Sequence, residues 1–394
     1  MRNFTYHNPV RILFGDHALD QLPDLFREFH VSNLLLVYSG DFIKELGIWD
    51  AVRKACVQSG IAFYEEGGVV PNPKIELVRE LITLGKEKKI DFVLAVGGGS
   101  SIDTAKAVAA GIPYEHDVWD FFEYAAVPET AVPVGVITTI PASGSECSNC
   151  SIISNGLHKC GIEYDCIIPK FAIMNPEYTR TLPAYQTSAG IADILSHMLE
   201  RYFTNTEHVD TTDYMLEGTM QALMVNARRL MKKPDDIHAR SEVQCLAFIA
   251  HNNLLDIGRE SDWGAHRIEH ELSAQYGITH GEGMAVVTIA WARYMAAHHP
   301  DKLAQLASRI FGVDPFVYTK EDMAYILADR LEEFFRSLHL KTTLHEMGID
   351  DAHFEEMANR ATNNGKDCVG HYVCLLYTSP SPRDYAAYRM PSSA

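Results

Sequence analysis

A carboxylate and three imidazoles form the set of residues in this sequence best suited to bind a metal ion. Asp193 and His197 are four residues apart in GIADILSHMLERYF, a spacing that places both side chains on one face of a helix. His266 lies in DWGAHRIEH, and His280 follows it after a Tyr-Gly turn. One carboxylate and three imidazoles are a credible ligand set for Zn²⁺ or Fe²⁺. Because the chain has 18 His, this spacing does not establish a site by itself.

A glycine-rich loop far upstream is typical of nucleotide binding. GGGSSID follows the apolar run DFVLAV and opens a helical stretch. Glycines let the backbone approach a phosphate, and free N–H groups at a helix start bind the anion. We therefore predict that a cofactor is bound by the following residues of this loop: Gly97, Gly98, Gly99, Ser100 and, one turn into the helix, Asp103. A plain glycine-rich turn, with Asp103 as an ordinary helix-dipole partner, is the alternative.

A second loop, TTIPASGSE (138–146), follows the apolar run VPVGVITT (132–139). Ligands of open parallel sheets bind beyond the carboxyl ends of the strands. Thr138 and Thr139 are therefore expected to line the same crevice as the glycine-rich loop. A metal site combined with a dinucleotide site indicates redox chemistry on an alcohol or an aldehyde.

The elements that must position these residues change in character near residue 183. Up to that point short apolar runs alternate with amphipathic stretches, for example NLLLVY (33–38) and a helix predicted over 42–60. This rhythm predicts an α/β dinucleotide-binding domain with a parallel, Rossmann-like sheet over residues 1–182. Helical periodicity predicts an all-α, metal-binding domain over 183–373. Residues 374–394 are aperiodic and rich in Pro and Ser, and are expected to be a disordered, non-native tail.

Composition excludes several classes of protein. The 394 residues are 47% hydrophobic and 22% charged, which is typical of a globular protein, and the net charge of -18 argues against a nucleic-acid partner. Neither an apolar run of membrane-spanning length nor a signal peptide is present, so we predict a cytoplasmic protein with no membrane association. The eight cysteines are expected to be reduced, and the C-x-x-C of Cys147 and Cys150 is interpreted as ordinary thiols.

Taken together, the motifs resemble those of the iron-containing (group III) alcohol dehydrogenases, most closely the butanol dehydrogenases and NADPH-dependent broad-range aldehyde reductases. The matching features are PNP (71–73), GGGSSIDTAK (97–106), TTIPASGSE (138–146), GIADILSHMLE (190–200) and H-x3-H-x9-H (266–280). The resemblance implies a dehydroquinate synthase-like fold, a homodimer and a small aldehyde or alcohol substrate.

The resemblance also assigns roles to individual residues. It makes Asp193, His197, His266 and His280 the ligands of one divalent ion, Fe²⁺ or Zn²⁺. His270 shares a helical face with His266, and spacing alone leaves open which of the two binds metal. The family pattern places His270 beside substrate and nicotinamide. It places two further residues, Asn72 of the PNP motif and Lys159 of HKCG, on the cofactor side.

Cofactor choice depends on the end of the second strand, which reads VYSG. NAD-preferring relatives tend to carry Asp there, where a carboxylate would repel a 2′-phosphate. Ser39 and Gly40 instead favour NADP(H) over NAD(H), although Asp41 follows directly.

Three other functions compete with this interpretation. The string His266–His270 reads H-x-x-E-H, the pattern of a zinc peptidase with Glu269 as base. A metal- and NAD-dependent lyase of the dehydroquinate-synthase type would share the fold. A binding module without catalysis is harder to reconcile with two cofactor sites facing one cleft.

Overall fold

A six-stranded parallel sheet forms the first half of the molecule in the computed structural model, which describes residues 1–374. Its strand order is β1-β8-β5-β4-β2-β3, and all five pairings are parallel. An antiparallel hairpin, β6–β7, stands apart from it. The strands are β1 (Arg11–Phe14), β2 (Asn33–Tyr38), β3 (Ala62–Glu66), β4 (Phe92–Gly97), β5 (Val134–Thr138), β6 (Cys150–Asn155), β7 (His158–Glu163) and β8 (Phe171–Met174).

Helices cover the sheet and then make up the second half of the chain. Those of the first half are α1 (Leu22–Glu28), α2 (Phe42–Glu45), α3 (Ile48–Ser59), α4 (Ile75–Glu87), α5 (Gly99–Gly111) and α6 (Trp119–Phe122). Those of the second half are α7 (Ala184–Tyr202), α8 (Asp210–Lys232), α9 (Ile237–His251), α10 (Gly264–Tyr276), α11 (His280–His298), α12 (Asp301–Phe311), α13 (Lys320–Ser337) and α14 (Phe354–Ala361).

The sheet is apolar on both faces, as a parallel sheet with two helical layers requires. Every residue of NLLLVY after Asn33 is buried, and β4 is buried throughout. The alternating side chains of β2 enter two different cores: Leu35 and Val37 belong to one, Leu34 and Leu36 to the other. The predicted α/β half with a parallel sheet is confirmed.

Strand order places the carboxyl ends of β2, β4 and β5 side by side. From β2 the chain moves outward to β3, whereas β4 and β5 lie on the other side of β2. Such a reversal is the point at which open parallel sheets bind ligands. The segments that follow these three strands therefore share one crevice.

The helical half is organised around one large core, to which α7 contributes nearly its whole length. The last sheet strand ends at Met174 and α7 begins at Ala184, so the predicted boundary between 182 and 183 falls in the connection between them. Among the described helices, none is both long and apolar enough to cross a membrane.

Three local expectations differ from the structure. The helix predicted over 42–60 is divided into α2 and α3, because Gly47 between them has a left-handed φ of 70°. The β6–β7 hairpin was not predicted. Cys368 and Cys374 form a disulfide across Cα atoms 5.2 Å apart, so the expectation of reduced cysteines is wrong for this pair. The rest of the predicted tail, 375–394, lies outside the described residues.

Candidate active site and metal centre

Three polar side chains project from one buried face of α7. Asp193, His197 and Glu200 follow the spacing i, i+4, i+7, which places them in a row along the helix. All three are buried in a helix whose neighbours are almost entirely apolar. Polar groups are costly in such surroundings unless they have partners. Their common direction therefore indicates a site.

Two further histidines meet this row from the next pair of helices. His266 lies in the first turn of α10, and His280 is the first residue of α11. His280 Nε2 is 3.4 Å from Asp193 Oδ1, and His266 Nε2 is 3.9 Å from the same oxygen. One ligand atom from each of these three residues lies within 4.8 Å of the others. The structure therefore brings together three of the four predicted metal ligands.

His197 lies beside this group rather than within it. Its ring centroid is 4.7 Å from that of His266 and 4.5 Å from that of His251. His251 was not predicted from the sequence; its Nδ1 lies 2.6 Å from the carbonyl oxygen of Ser143, in the loop after β5. That contact links the ring stack to the sheet half.

The buried atoms of the cluster fit a divalent ion. Asp193 Oδ1, His197 Nδ1 and His266 Nε2 are buried and have no hydrogen-bond partner among residues 1–374. Burial, with the neighbouring His251, holds the pKa of His197 well below its usual range, so this ring is neutral as a metal ligand must be. Burial also raises the pKa of Asp193, and a nearby cation would offset that cost. A cation bound by the group of three would satisfy Asp193 Oδ1 and His266 Nε2.

A carboxylate approaches the Nδ1 side of two of the imidazoles, those of His266 and His280. Glu200 Oε1 accepts the backbone N–H of His266 at 3.1 Å. Its Oε2 is 3.1 Å from His266 Nδ1, at an angle outside that of a hydrogen bond. Glu269 Oε2 contacts His280 Nδ1. Glu200 was missed in the sequence, although its i+7 spacing from Asp193 was a usable signal.

The His270 ring lies 5.7 Å from the His280 ring and 6.5 Å from the His266 ring, measured between centroids. Burial, with the nearby Lys159, holds the pKa of His270 well below its usual range, so the ring is neutral at pH 7. Glu269, His270 and His280 form a second set of ligand atoms within 4.8 Å of one another. The position of His270 is therefore compatible with contact to a substrate, a cofactor or a metal ion.

The peptidase hypothesis does not fit this geometry. The His266 and His270 rings are 6.5 Å apart and nearly perpendicular, at 86°. Glu269 is fully buried and contacts His280, whereas a peptidase base must contact a reactive water. The H-x-x-E-H string is therefore coincidental here.

The glycine-rich loop packs tightly against the loop after β5. Gly97 has a φ of 147°, and a Cβ there would lie 2.6 Å from Ser101 Oγ. Cβ atoms at Gly98 and Gly99 would come within 3.2 Å of Ile140 and 2.5 Å of Ser143 Oγ. The two loops therefore lie against each other, and their close approach requires glycine at positions 98 and 99.

The predicted hydroxyl side chains near these loops differ in their burial and hydrogen bonding. Thr139 Oγ1 is buried without a partner in the described part of the chain, while Thr138 Oγ1 donates weakly to the Gly97 carbonyl at 3.5 Å. Ser100 is partly exposed at the start of α5. Thr139 is thus the hydroxyl with an unused hydrogen-bonding capacity.

Asp103 points into the protein rather than into the crevice. Its Oδ1 accepts from Ser145 Oγ at 2.6 Å and its Oδ2 from the backbone N–H of Ile152 at 3.2 Å. Lys106, one turn on, donates to Ser145 and to Ser148 and Cys150 carbonyls, with its ammonium fully buried. Both side chains hold the loop after β5 in place. The predicted cofactor contact of Asp103 stays a prediction.

Asn72 and Lys159 connect the two halves of the molecule. Lys159 Nζ donates to Asn72 Oδ1 at 3.0 Å, and Asn72 Nδ2 donates to the Ile278 carbonyl at 3.2 Å. Ile278 precedes His280 by two residues. Lys159 is placed there by the β6–β7 hairpin, which contacts α10. Lys159 thus contacts Asn72 of the sheet half, and its Nζ lies 3.7 Å from Glu269 Oε2 in α10.

Ser39 and Gly40 follow β2 at the edge of the sheet where β4 ends. Asp41 comes next, at the N-terminus of α2, and its Oδ1 pairs with Lys44 Nζ at 2.7 Å on the surface. The negative charge of Asp41 is therefore paired with the positive charge of Lys44.

Comparisons with known proteins agree with this geometry. The family described as iron-containing alcohol dehydrogenase matches residues 9–176, and the C-terminal domain of the same family matches 187–371. NADH-dependent butanol dehydrogenase A of Clostridium acetobutylicum is 36% identical over 94% of this chain and 95% of its own length. The NADPH-dependent aldehyde reductase YqhD of Escherichia coli is 32% identical over 99% of this chain and 100% of its own.

Comparison with solved structures shows the fold of the same family. The crystal structure of NADH-dependent butanol dehydrogenase A from Thermotoga maritima superposes with a TM-score of 0.90. It is 33% identical, covering 95% of this chain and 96% of its own. The chain belongs to the iron-containing alcohol dehydrogenase family.

Proposed function

We propose that this protein transfers a hydride between NADP(H) and a small aldehyde or primary alcohol at a site containing one divalent metal ion. The observation that carries the proposal is the convergence of Asp193, His266 and His280 on a site that Asn72 and Lys159 connect to the sheet half. Within residues 1–374, Asp193 Oδ1 and His266 Nε2 are buried there without a hydrogen-bond partner. His197 is the fourth proposed ligand, because its buried Nδ1 lacks a partner within residues 1–374.

The metal set and the cofactor crevice supply different parts of the reaction. A divalent ion held by these four residues would polarise the carbonyl oxygen of an aldehyde, and the reduced nicotinamide would supply the hydride. Asp193 contributes the one negative charge of the set, and burial keeps the His197 imidazole neutral by lowering its pKa. The crevice formed by the glycine-rich loop and the loop after β5 would hold the cofactor phosphates through backbone N–H groups.

His270 is the proposed proton carrier. Its ring is neutral at pH 7, because burial and Lys159 lower its pKa. A neutral imidazole carries one N–H donor and one acceptor nitrogen. His270 can therefore give a proton to the product alkoxide oxygen, or accept one from the alcohol in the reverse direction.

The preference for NADP(H) rests on the end of β2. Relatives of this chain include both NADH-dependent and NADPH-dependent enzymes, so family membership leaves the choice of cofactor open. Ser39 and Gly40 present no carboxylate to a 2′-phosphate, and Lys44 pairs with Asp41. These features support NADP(H). The metal, Fe²⁺ or Zn²⁺, is compatible with this ligand set in either case.

A homodimer and a cytoplasmic location are part of the same proposal. Three aromatic side chains near the N-terminus, Phe4, Tyr6 and Phe14, are 40–51% exposed. Because β1 is an edge strand of the sheet, exposed aromatic side chains on it and before it support burial against a second copy. The mass of the purified protein by light scattering tests the dimer directly.

The function is tested by removing and restoring the metal. Purified protein is stripped with a chelator, reloaded with Fe²⁺ under anaerobic conditions or with Zn²⁺, and given butanal with NADPH or NADH. We expect the stripped protein to be inactive and one of the two ions to restore oxidation of the reduced cofactor. Butanal reduction at the full rate without metal, or no reduction with any combination, would contradict the proposal.

A further inference from the structure

Glu269 is a fully buried carboxylate in α10 that the proposed reaction leaves without a role. Oε1 accepts from Ser273 Oγ, and Oε2 contacts His280 Nδ1 and lies 3.7 Å from Lys159 Nζ. A buried carboxylate is tolerated only when its oxygens are partnered in this way. These three partners therefore hold the Glu269 carboxylate in one position.

The neighbouring helix makes room for this carboxylate. A Cβ on Gly283, one turn into α11, would lie 2.6 Å from Glu269 Oε1 and 2.9 Å from its Cγ. Glycine inside a helix is less favourable than alanine, because it loses more backbone freedom on folding. Only the absence of a side chain at position 283 lets Glu269 reach His280.

The contact with Glu269 decides which nitrogen of His280 can bind metal. Nδ1 faces the Glu269 carboxylate, and Nε2 faces Asp193 Oδ1 at 3.4 Å. A carboxylate accepts hydrogen bonds and cannot donate them when ionised, so Nδ1 carries the proton. The lone pair of Nε2 then points toward the position of the ion.

We propose that Glu269 is a positioning residue that fixes the tautomer and orientation of His280 and thereby tightens metal binding. The inference rests on the proposed function, because it takes His280 to be a metal ligand. Carboxylates behind a metal-bound histidine orient the ring and raise its basicity, and their loss costs 10- to 100-fold in metal affinity.

A direct metal contact is the competing role for Glu269. Glu269, His270 and His280 could form a ligand set of their own. An ion at that position would lie close to Lys159, whose ammonium is 3.7 Å from Glu269 Oε2. Like charges at such short range repel by several kcal/mol at the effective dielectric of a protein interior. Lys159 therefore favours the positioning role.

The test measures metal binding rather than turnover. Glu269→Gln keeps the size of the side chain and removes its charge. Zn²⁺ affinity, from competition with a chromogenic chelator, should fall roughly 10- to 100-fold while the circular dichroism spectrum stays unchanged. The matched control is Glu271→Gln, two residues along the same helix, whose carboxylate pairs with Arg360 at 2.7 Å and lies away from the ligands. Its Zn²⁺ affinity should equal that of the unmodified protein.

Two further variants keep the test decisive if Glu269→Gln does not fold. Glu269→Asp retains the charge, but its shorter side chain moves the carboxylate away from His280. Ser273→Ala removes one hydrogen-bond donor to the Glu269 carboxylate. Both variants should weaken Zn²⁺ binding. Unchanged affinity in the variants would overturn the inference. So would a second Zn²⁺ equivalent in the unmodified protein that Glu269→Gln abolishes, since Glu269 would then be a ligand. If His280→Ala also leaves Zn²⁺ affinity unchanged, the proposed metal site itself fails, which is a separate result.

Discussion

Gly281 lies directly against Ala189, so that a Cβ at position 281 would overlap the Ala189 carbonyl oxygen. This contact sets the distance between α11 and α7 at the end of α11 that carries the proposed metal ligand His280. Asp193 lies one turn after Ala189, and His280 immediately precedes Gly281. The 3.4 Å separation between Asp193 Oδ1 and His280 Nε2 therefore depends on the absence of a side chain at residue 281.

Replacing this glycine should separate the ligands. Gly281→Ala forces α11 away from α7, because the contact is with backbone and cannot be relieved by rotating a side chain. We expect a loss of stability of about 1–3 kcal/mol and a lower content of bound metal after purification. Urea denaturation and elemental analysis measure the two effects.

The matched control for Gly281→Ala is Gly218→Ala in α8, where a Cβ would meet nothing within 4 Å. That variant should be as stable as the unmodified protein or more stable, by up to about 1 kcal/mol. Equal metal content and stability in Gly281→Ala and Gly218→Ala would show that the close contact does not position the ligands.

His280→Ala should abolish metal binding while the sheet half stays folded. His280 is the residue that links Asp193 to the Glu269 side of the cluster. Without it, Asp193 keeps His266 as its nearest partner, at 3.9 Å. The metal content by elemental analysis and the rate of butanal reduction should both fall to background, with a near-native circular dichroism spectrum. His345→Ala, at an exposed position, is the control and should retain both.

Ser39→Asp should shift the cofactor preference away from NADPH. A carboxylate at the end of β2 would face the 2′-phosphate, and one such repulsion of roughly 1.4 kcal/mol corresponds to about a tenfold loss. We expect kcat/KM for NADPH to fall by about that factor with little change for NADH. Ser39→Asn has nearly the same size without the charge and should change neither value much. An unmodified protein that works better with NADH than with NADPH would contradict the proposal.

Glu146 should make stability depend on pH. Burial raises its pKa from 4.5 to about 7. The folded state therefore holds this proton more tightly than the unfolded state, so its contribution is fully present below pH 4.5 and is lost as the pH rises to about 7. The difference between these values corresponds to about 3 kcal/mol.

Glu146→Gln removes that dependence because the amide does not titrate. Going from pH 5 to pH 8, the metal-free unmodified protein should lose more stability than Glu146→Gln, by up to about 3 kcal/mol in urea denaturation. Glu129→Gln, at an exposed loop position, should behave like the unmodified protein. Parallel pH profiles for the unmodified protein and Glu146→Gln would mean that the carboxyl is not desolvated as the structure indicates.

Local patterns along the chain are enough to predict the class of fold and the residues of the proposed metal site. The apolar run NLLLVY predicts β2 to the residue, because a strand covered on both faces must be apolar at every position. The spacing of Asp193 and His197 predicts a shared helical face, because local periodicity alone decides it. Gly97, Gly98 and Gly99 predict a phosphate loop, because only glycine permits such a close approach of the backbone.

Contacts between residues that are distant in the sequence could not be predicted from local patterns. The order of the strands brings the ends of β2, β4 and β5 to one crevice, and no local pattern encodes that order. The β6–β7 hairpin sets Lys159 against Glu269, and the close approach of α7 and α11 sets His280 against Asp193. Glu269 is the clearest example. Its neighbours in the sequence match the pattern of a peptidase base, whereas in the structure its carboxylate contacts His280 Nδ1. Contacts between residues far apart in the chain arise from packing, which the spacing of residues within one element does not specify.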